Sequence, residues 1–398
     1  MIRPAMLALL GLLGAIQPAI AENRSVSQSI WTVARDRVTL RFVLPAAEAR
    51  QLSPKNLPPP STEQVASYVL GHVSVSAAGS ACPAIDQGYD IGRIDTLSVG
   101  DGLYGFEIIF QCPGTRDMLL HNAVLFERVP QHIDFARIEQ NGAAAAQLFT
   151  FGSEQLRLPD NGAAIAAGTG EYLRLGVSHI RHGFDRICFL AGLLVLVGKR
   201  RDLLGVASGL LLGYGASSAV AAGGYAIPNM PAVESAVGFL VAFIAAQAIA
   251  WEVPRPRLVA AIVGGAMLLV GAGALVLRGA QVAWLPVGLG LFAASLVCIS
   301  DHRLPVIVVP AAFGFLDGLV LPGEYARLPL WHQASIPGLL AFNAGALLAD
   351  ALLIGFFLAL LAALRRSKFT VPGAIARDLA ATAFSGLGAF WMLSRLYA

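Results

Sequence analysis

Residues 172–201, YLRLGVSHIRHGFDRICFLAGLLVLVGKRR, constrain this chain more than any other stretch. The segment opens with a polar half holding His179, Arg181, His182, Asp185 and Arg186, runs through unbroken apolar sequence over 187–198, and closes on Lys199, Arg200 and Arg201. The apolar run is too short to cross a bilayer, which takes ~20 residues. A spanning helix must therefore carry the polar half into the membrane, where ionisable groups are costly and mark function by default. At about 100° per residue, His179, His182, Asp185 and Arg186 share roughly a third of the helix circumference. The plainer alternative leaves 175–185 outside the bilayer, solvated.

The wider composition agrees with a membrane setting. Of 398 residues, 56% are hydrophobic and 13% charged, against about 25% charged in soluble domains. A net charge of +3, without a basic stripe interleaved with aromatics, argues against nucleic acid as a partner; the expected partner is the lipid bilayer. Arg3, the apolar run 6–16 and the Ala19-Ile20-Ala21 tripeptide read as a secretory signal over residues 1–21. An exported domain over 22–165 then sits in an oxidising compartment, so Cys82 and Cys112 are expected to pair. Cys188 and Cys298 fall in apolar runs and read as small apolar fillers.

Residues 22–165 hold most of the Asp, Glu, Asn and Gln, with short alternating or β-branched runs bounded by Gly, Pro, Asp and Ser. Strands are expected over 30–44, 65–75, 103–111, 118–126, 132–138 and 145–151, the pattern of an all-β, antiparallel sandwich. Residues 99–102 read as a turn and 54–60 as a loop. His121 and His132 stand alone and read as structural.

From 166 to 398 the chain reads as an all-α polytopic bundle of about eight spans: 175–198, 202–222, 232–252, 258–277, 281–299, 304–321, 334–364 and 376–396. With the first domain outside, the inner loops hold Lys199, Arg200, Arg201, Arg255, Arg257, Arg303, Arg365, Arg366, Lys368 and Arg377. Outside remain Arg278, Arg327 and Arg395. That asymmetry is what the positive-inside rule expects and supports the span count and a first domain outside the cytoplasm; the expected location is a bacterial inner membrane. Polar groups within later spans include Tyr214, Glu234, Gln247, Asp317, Asn343 and Asp350. Glu234 follows Pro231 near a helix start, where a carboxylate suits the dipole. Asp317 and Asp350 need a partner or water if buried.

Five segments carry a family resemblance: YLRLGVSHIRHGFDRICFLAGLLVLV, ASGLLLGYGASSAVAAGGYAIPNMPAVES, FGFLDGLVLPGE, LLAFNAGALLADALL and SGLGAFWMLSRL. Their order and spacing resemble the HupE/UreJ family, associated with nickel or cobalt uptake and with hydrogenase and urease maturation. The resemblance implies a transition-metal cargo, with His179 and Asp185 keeping the family pattern; His182, outside that pattern, is the spare imidazole that completes an expected three-ligand face. The resemblance also implies a polar intramembrane site made of Arg186, Tyr214, Glu234, Asp317, Asn343 and Asp350. The departures are specific. Arg186 stands where the family's first span has a second His, Tyr214 where its second span has a His, and Asp317 where its sixth span has a His. Phe342, Asn343 and Gly345 keep the family pattern, while Leu347 and Asp350 replace its Glu and Gln.

Two functions follow as expectations. One is a transporter or maturation accessory for nickel or cobalt. The other is a non-transporting membrane module, its metal site lost, whose exported domain binds a periplasmic or cell-surface partner. The sequence shows no Ser/His or Cys/His arrangement for hydrolysis, and an enzyme is not expected. Since neighbours i and i+1 on a helix do not face each other, Arg186 is expected to take Asp317 or Asp350, rather than Asp185, as its partner.

Overall fold

The computed structural model describes residues 25–54, 58–85, 95–96, 102–159, 169–179, 184–196, 200–223, 230–250, 256–298, 303–326, 336–366 and 373–397. The chain divides into two compact units, one built on Asn23–Tyr172 and the other on Leu173–Gly323 and Phe342–Ala398.

In the first unit, β1 (Val26–Val33) and β2 (Arg37–Pro45) form a hairpin within what the sequence suggested as one run, closed by Ala34 N–H donating to the Arg37 carbonyl at 2.8 Å. β2 alternates exposed and buried positions until both faces close over Phe42, Val43 and Leu44, the period-two signature of a sheet packed on one side. With β5 (Ala84–Ile85), β6 (Asp95–Thr96), β7 (Leu103–Gln111), β9 (Ile133–Gln140) and β10 (Ala143–Thr150), these strands make a seven-stranded sheet ordered β10-β9-β1-β2-β7-β5, β6 pairing with β7. A second sheet of β11 (Gln155–Arg157), β8 (Leu119–Asn122), β3 (Val73–Ala77) and β4 (Ser80–Ala81) accounts for the rest. Trp31, Phe42, Phe106, Phe126 and Phe149 form the core.

Two features correct the all-β, antiparallel expectation. β1 pairs with β9 in parallel, Val26 opposite Ile133. Residues 65–72 belong to a helix: after the short α1 (Ala46–Ala49), α2 spans Thr62–His72. Ser61 accepts from the Gln64 N–H while its own N–H donates to Gln64 Oε1. That reciprocal cap starts a helix, and Val65 and Val69, four apart, bury one face. The run's apolar residues were thus spaced for both periods, and the cap decided. Cys82 and Cys112 are disulfide-bonded, Cα atoms 4.7 Å apart, tying the β4–β5 connection to the end of β7. The expected turn at 99–102 lies outside the described residues except for Gly102, whose φ is +77°.

The second unit is helical: α3 (Thr169–His179), α4 (Phe184–Leu196), α5 (Arg200–Ala222), α6 (Met230–Ala250), α7 (Pro256–Arg278), α8 (Ala280–Cys298), α9 (Arg303–Gly318), α10 (Val320–Ala326), α11 (Ile336–Arg366) and α12 (Gly373–Leu396). Four stretches are long and apolar enough to cross a membrane: Asp202–Ala222, Arg257–Arg278, Leu304–Gly323 and Ile336–Leu360. Two shorter apolar helices accompany them, Pro231–Ala245 and Val282–Cys298. Large apolar side chains such as Leu269, Val276, Leu277 and Trp284 lie on the outside, an arrangement suited to lipid rather than water. These helices fit a membrane protein.

Small residues set which helices touch. A side chain at Gly213 on α5 would collide with the Ala311 carbonyl of α9, and one at Gly314 on α9 with the Leu210 carbonyl of α5. Gly238 on α6 and Gly388 on α12 meet in the same way. Backbone approach of this kind is how apolar helices associate in lipid. Phe189 stacks on Phe313, centroids 3.8 Å apart, joining α4 to α9. Cys188 is buried, as a filler would be, but Cys298 is exposed on the outside of α8.

Candidate functional site

Polar residues of four apolar helices meet at one place. α4 supplies Arg186, α5 Tyr214, α9 Asp317 and α11 Asp350, none more than 7% exposed. Arg186 Nη2 donates to Tyr214 Oη at 2.6 Å and lies against Asp317 Oδ2; its Nε faces Asp350 Oδ1 at 3.2 Å. The sequence left Asp317 and Asp350 as alternatives for Arg186, and the guanidinium engages both. Tyr214 Oη stands 2.7 Å from Asp317 Oδ2 and 2.9 Å from Asp350 Oδ2. One phenol thus joins a cation and two carboxyl groups.

The turn that carries Tyr214 is held in turn. Ser217 and Ser218 Oγ donate back to the Tyr214 carbonyl at 2.9 and 2.8 Å. Asn343 Nδ2, on α11, donates to Ser218 Oγ at 2.7 Å and reaches the Tyr214 carbonyl at 3.3 Å. Buried polar groups persist in a low dielectric only when partnered, and here two partners come from α5 itself and one, Asn343, crosses from α11.

A second polar cluster lies among α4, α6 and α12. Arg395 sits between Asp185 and Glu234, at 3.4 Å from each, with its guanidinium 5.9 Å from the Trp391 ring centroid. Ser235 Oγ donates to the Met392 carbonyl at 3.0 Å. The sequence left Glu234 between a helix cap and a place in the polar intramembrane site, and put Arg395 at the outer end of its span; their contact could not be read from either segment alone. The signal available was sign and small-residue spacing, since Gly238 and Gly388 bring these two helices together.

One expectation about facing needs correction. Asp185 and Arg186 do not look the same way: the carboxylate reaches α12, whereas the guanidinium reaches α5, α9 and α11. A helix turns about 100° per residue, and packing on both sides of α4 turns that angle into two separate environments. His182, and the side chain of His179, lie outside the described residues. Among the described residues no group of three or more His, Cys, Asp or Glu side chains is arranged to hold a metal ion. The centre itself is unsuited to nickel or cobalt as a resident ion: these ions favour imidazole nitrogen, and Arg186, permanently charged, occupies the space between the two carboxyl groups.

A family model described as HupE / UreJ protein matches residues 155–278 and 287–395. The chain belongs to the HupE/UreJ family. The match takes in every residue of both clusters, Asp185, Arg186, Tyr214, Glu234, Asp317, Asn343, Asp350 and Arg395. This HupE/UreJ member therefore carries its ion-paired centre within the family's own helical core. No curated protein matches the chain.

Proposed function

We propose that this chain is a HupE/UreJ-type membrane transport protein whose cargo is a cation, nickel or cobalt being the class to which the family points. The single observation that supports the reading is the water-excluded polar centre shared by α4, α5, α9 and α11. Placing one cation, two carboxyl groups and a phenol inside apolar helices is costly and is a functional-site hypothesis by default. Cargo passes this centre without lodging in it, with His179, His182 and Asp185 as the imidazole-bearing approach. Residues 1–21 direct export, residues 22–165 lie outside the cytoplasm, and residues 166–398 cross the inner membrane about eight times, the basic loops staying inside.

Arg186 specifically favours a second reading. A guanidinium filling the place of a metal ligand makes the bundle a non-transporting anchor, with the disulfide-bonded domain binding a periplasmic or cell-surface protein. Uptake of labelled nickel and cobalt in a transporter-deficient host separates the two. Accumulation above an empty-vector control supports transport, and loss of that accumulation in Asp317→Asn places the path at the centre. Accumulation no greater than the control would leave the anchor reading.

A further inference from the structure

The Tyr214 hydroxyl has one proton, yet two carboxyl oxygens lie within hydrogen-bond distance of it, at 2.7 and 2.9 Å. A hydroxyl donates once and accepts through two lone pairs. Arg186 Nη2 already donates to Tyr214 Oη at 2.6 Å. If both carboxyl groups were ionised, one contact would set an anionic oxygen against a phenol lone pair with no proton between them. In a low dielectric that repulsion is severe.

We infer that the bundle centre is a proton-binding site: Asp350 carries a proton, gives it in a hydrogen bond to Tyr214, and Tyr214 gives its own to ionised Asp317. The assignment follows from what each oxygen touches. Asp317 Oδ2 receives both the Arg186 Nη2 contact and the Tyr214 hydroxyl, the surroundings of a full anion. Asp350 is fully buried; its Oδ1 faces Arg186 Nε, leaving Oδ2 to hold the proton toward Tyr214. Guanidinium and Asp317 then neutralise each other, and Asp350 adds no charge to the interior.

A second buried polar side chain stands beside Tyr214. Asn343 is 4% exposed, and its Oδ1 accepts no hydrogen bond among the described residues, while its Nδ2 is bonded beside Tyr214. The charged and titratable groups facing Asp350 among the described residues are Arg186 from α4, Tyr214 from α5 and Asp317 from α9. Release of the proton leaves two carboxylates for one guanidinium, so passage of a cation through the centre would be linked to proton movement. That linkage rests on the transport reading; the proton site does not.

Infrared spectroscopy of the full protein in lipid tests the site without any metal. Above pH 7 the wild type should show the carbonyl stretch of a buried carboxylic acid. The band should vanish in Asp350→Asn and persist in Asp134→Asn, a control in the other unit. Thermal unfolding supplies a second readout. Asn reproduces a protonated acid, donating an N–H to Tyr214, so Asp350→Asn should unfold at the wild-type midpoint. Asp317→Asn should unfold lower, and the double variant lower still, because Arg186 then has no anion in the centre. Absence of the band in wild type, its survival in Asp350→Asn, or an Asp350→Asn midpoint as low as that of Asp317→Asn would overturn the proposal.

Discussion

Asp185 and Arg186 are adjacent on α4, yet the Asp185 carboxylate meets Arg395 at 3.4 Å while the Arg186 guanidinium lies against Asp317 and Asp350. Two adjacent residues thus feed two polar clusters on different flanks of one helix, about 100° apart. Each cluster draws its partners from other helices, so each reports on whether the bundle is assembled. The centre around Arg186 is the more buried, and its energetics are accessible by mutation.

Arg186→Ala leaves two carboxyl groups without their shared cation, a change expected to cost about 3–5 kcal/mol. Asp317→Ala should cost less, because Asp350 still faces the guanidinium. The double variant should cost less than the sum, since the second change removes a group the first left stranded. Denaturant unfolding in detergent measures all three. Strictly additive values would mean the two residues do not interact.

The Cys82–Cys112 bond closes a segment with a sequence separation of 30. Loop-closure entropy predicts about 3–4 kcal/mol of stabilisation from a loop of that length. Cys82→Ala with Cys112→Ala should lower the unfolding midpoint of the first unit while leaving the helical unit's unchanged. In the untreated protein, thiol reagents should reach neither sulfur, and labelling of both without reduction would contradict the bond.

His132 and Asp134 share a buried chain of hydroxyls. Ser25 and Ser27 bond the imidazole at 2.7 and 3.0 Å, and Ser27, Ser29 and Asn122 bond the carboxylate. Burial lowers the imidazole pKa from 6.5 to about 3 and raises the Asp134 carboxyl from 3.8 to about 6. The two shifts act with opposite sign. The His132 contribution to stability is present above pH 6.5 and is lost as pH falls toward 3; the Asp134 contribution is present below pH 3.8 and is lost as pH rises toward 6. Between about pH 4 and 6 each of the folded and unfolded states holds one proton of the pair, so these effects cancel. Burial raises Glu48 too, which adds to the Asp134 side. In His132→Gln the cancellation is gone, and the unit should gain on the order of 2–3 kcal/mol as pH falls from 7 to 4. In Asp134→Asn it should lose stability over the same range. Thermal melts against pH read the two slopes; equal signs would contradict the account.

Loop charges predict topology. A reporter fused after Ala398 should behave as external and one inserted at Lys199 as internal if the short loops obey the positive-inside rule. Both reporters on one side would require a different number of spans.

Much of this molecule is legible before any contact is known. The runs 30–44 and 103–111 read as strands, and the structure puts β7 on the second and divides the first between β1 and β2. Asp202–Ala222, Arg257–Arg278, Leu304–Gly323 and Ile336–Leu360 are long and apolar enough to cross a bilayer, a property of length and composition alone. Even the exclusion of Asp185 as partner to Arg186 follows from helix geometry alone. Other features lie beyond local pattern. The Ser61 cap overrode a strand-like run in 65–72, and the parallel pairing of β1 with β9 brought Ser25, Ser27 and Ser29 to His132 and Asp134. Close backbone approach at Gly213 and Gly314, and at Gly238 and Gly388, selected which helices cross. That choice gave Arg186 two carboxyl groups instead of one and gave Arg395 its place between Asp185 and Glu234. Periodicity and charge sign are properties of a segment and can be read from it; the identity of a partner depends on which distant backbone comes within reach, and only packing settles that.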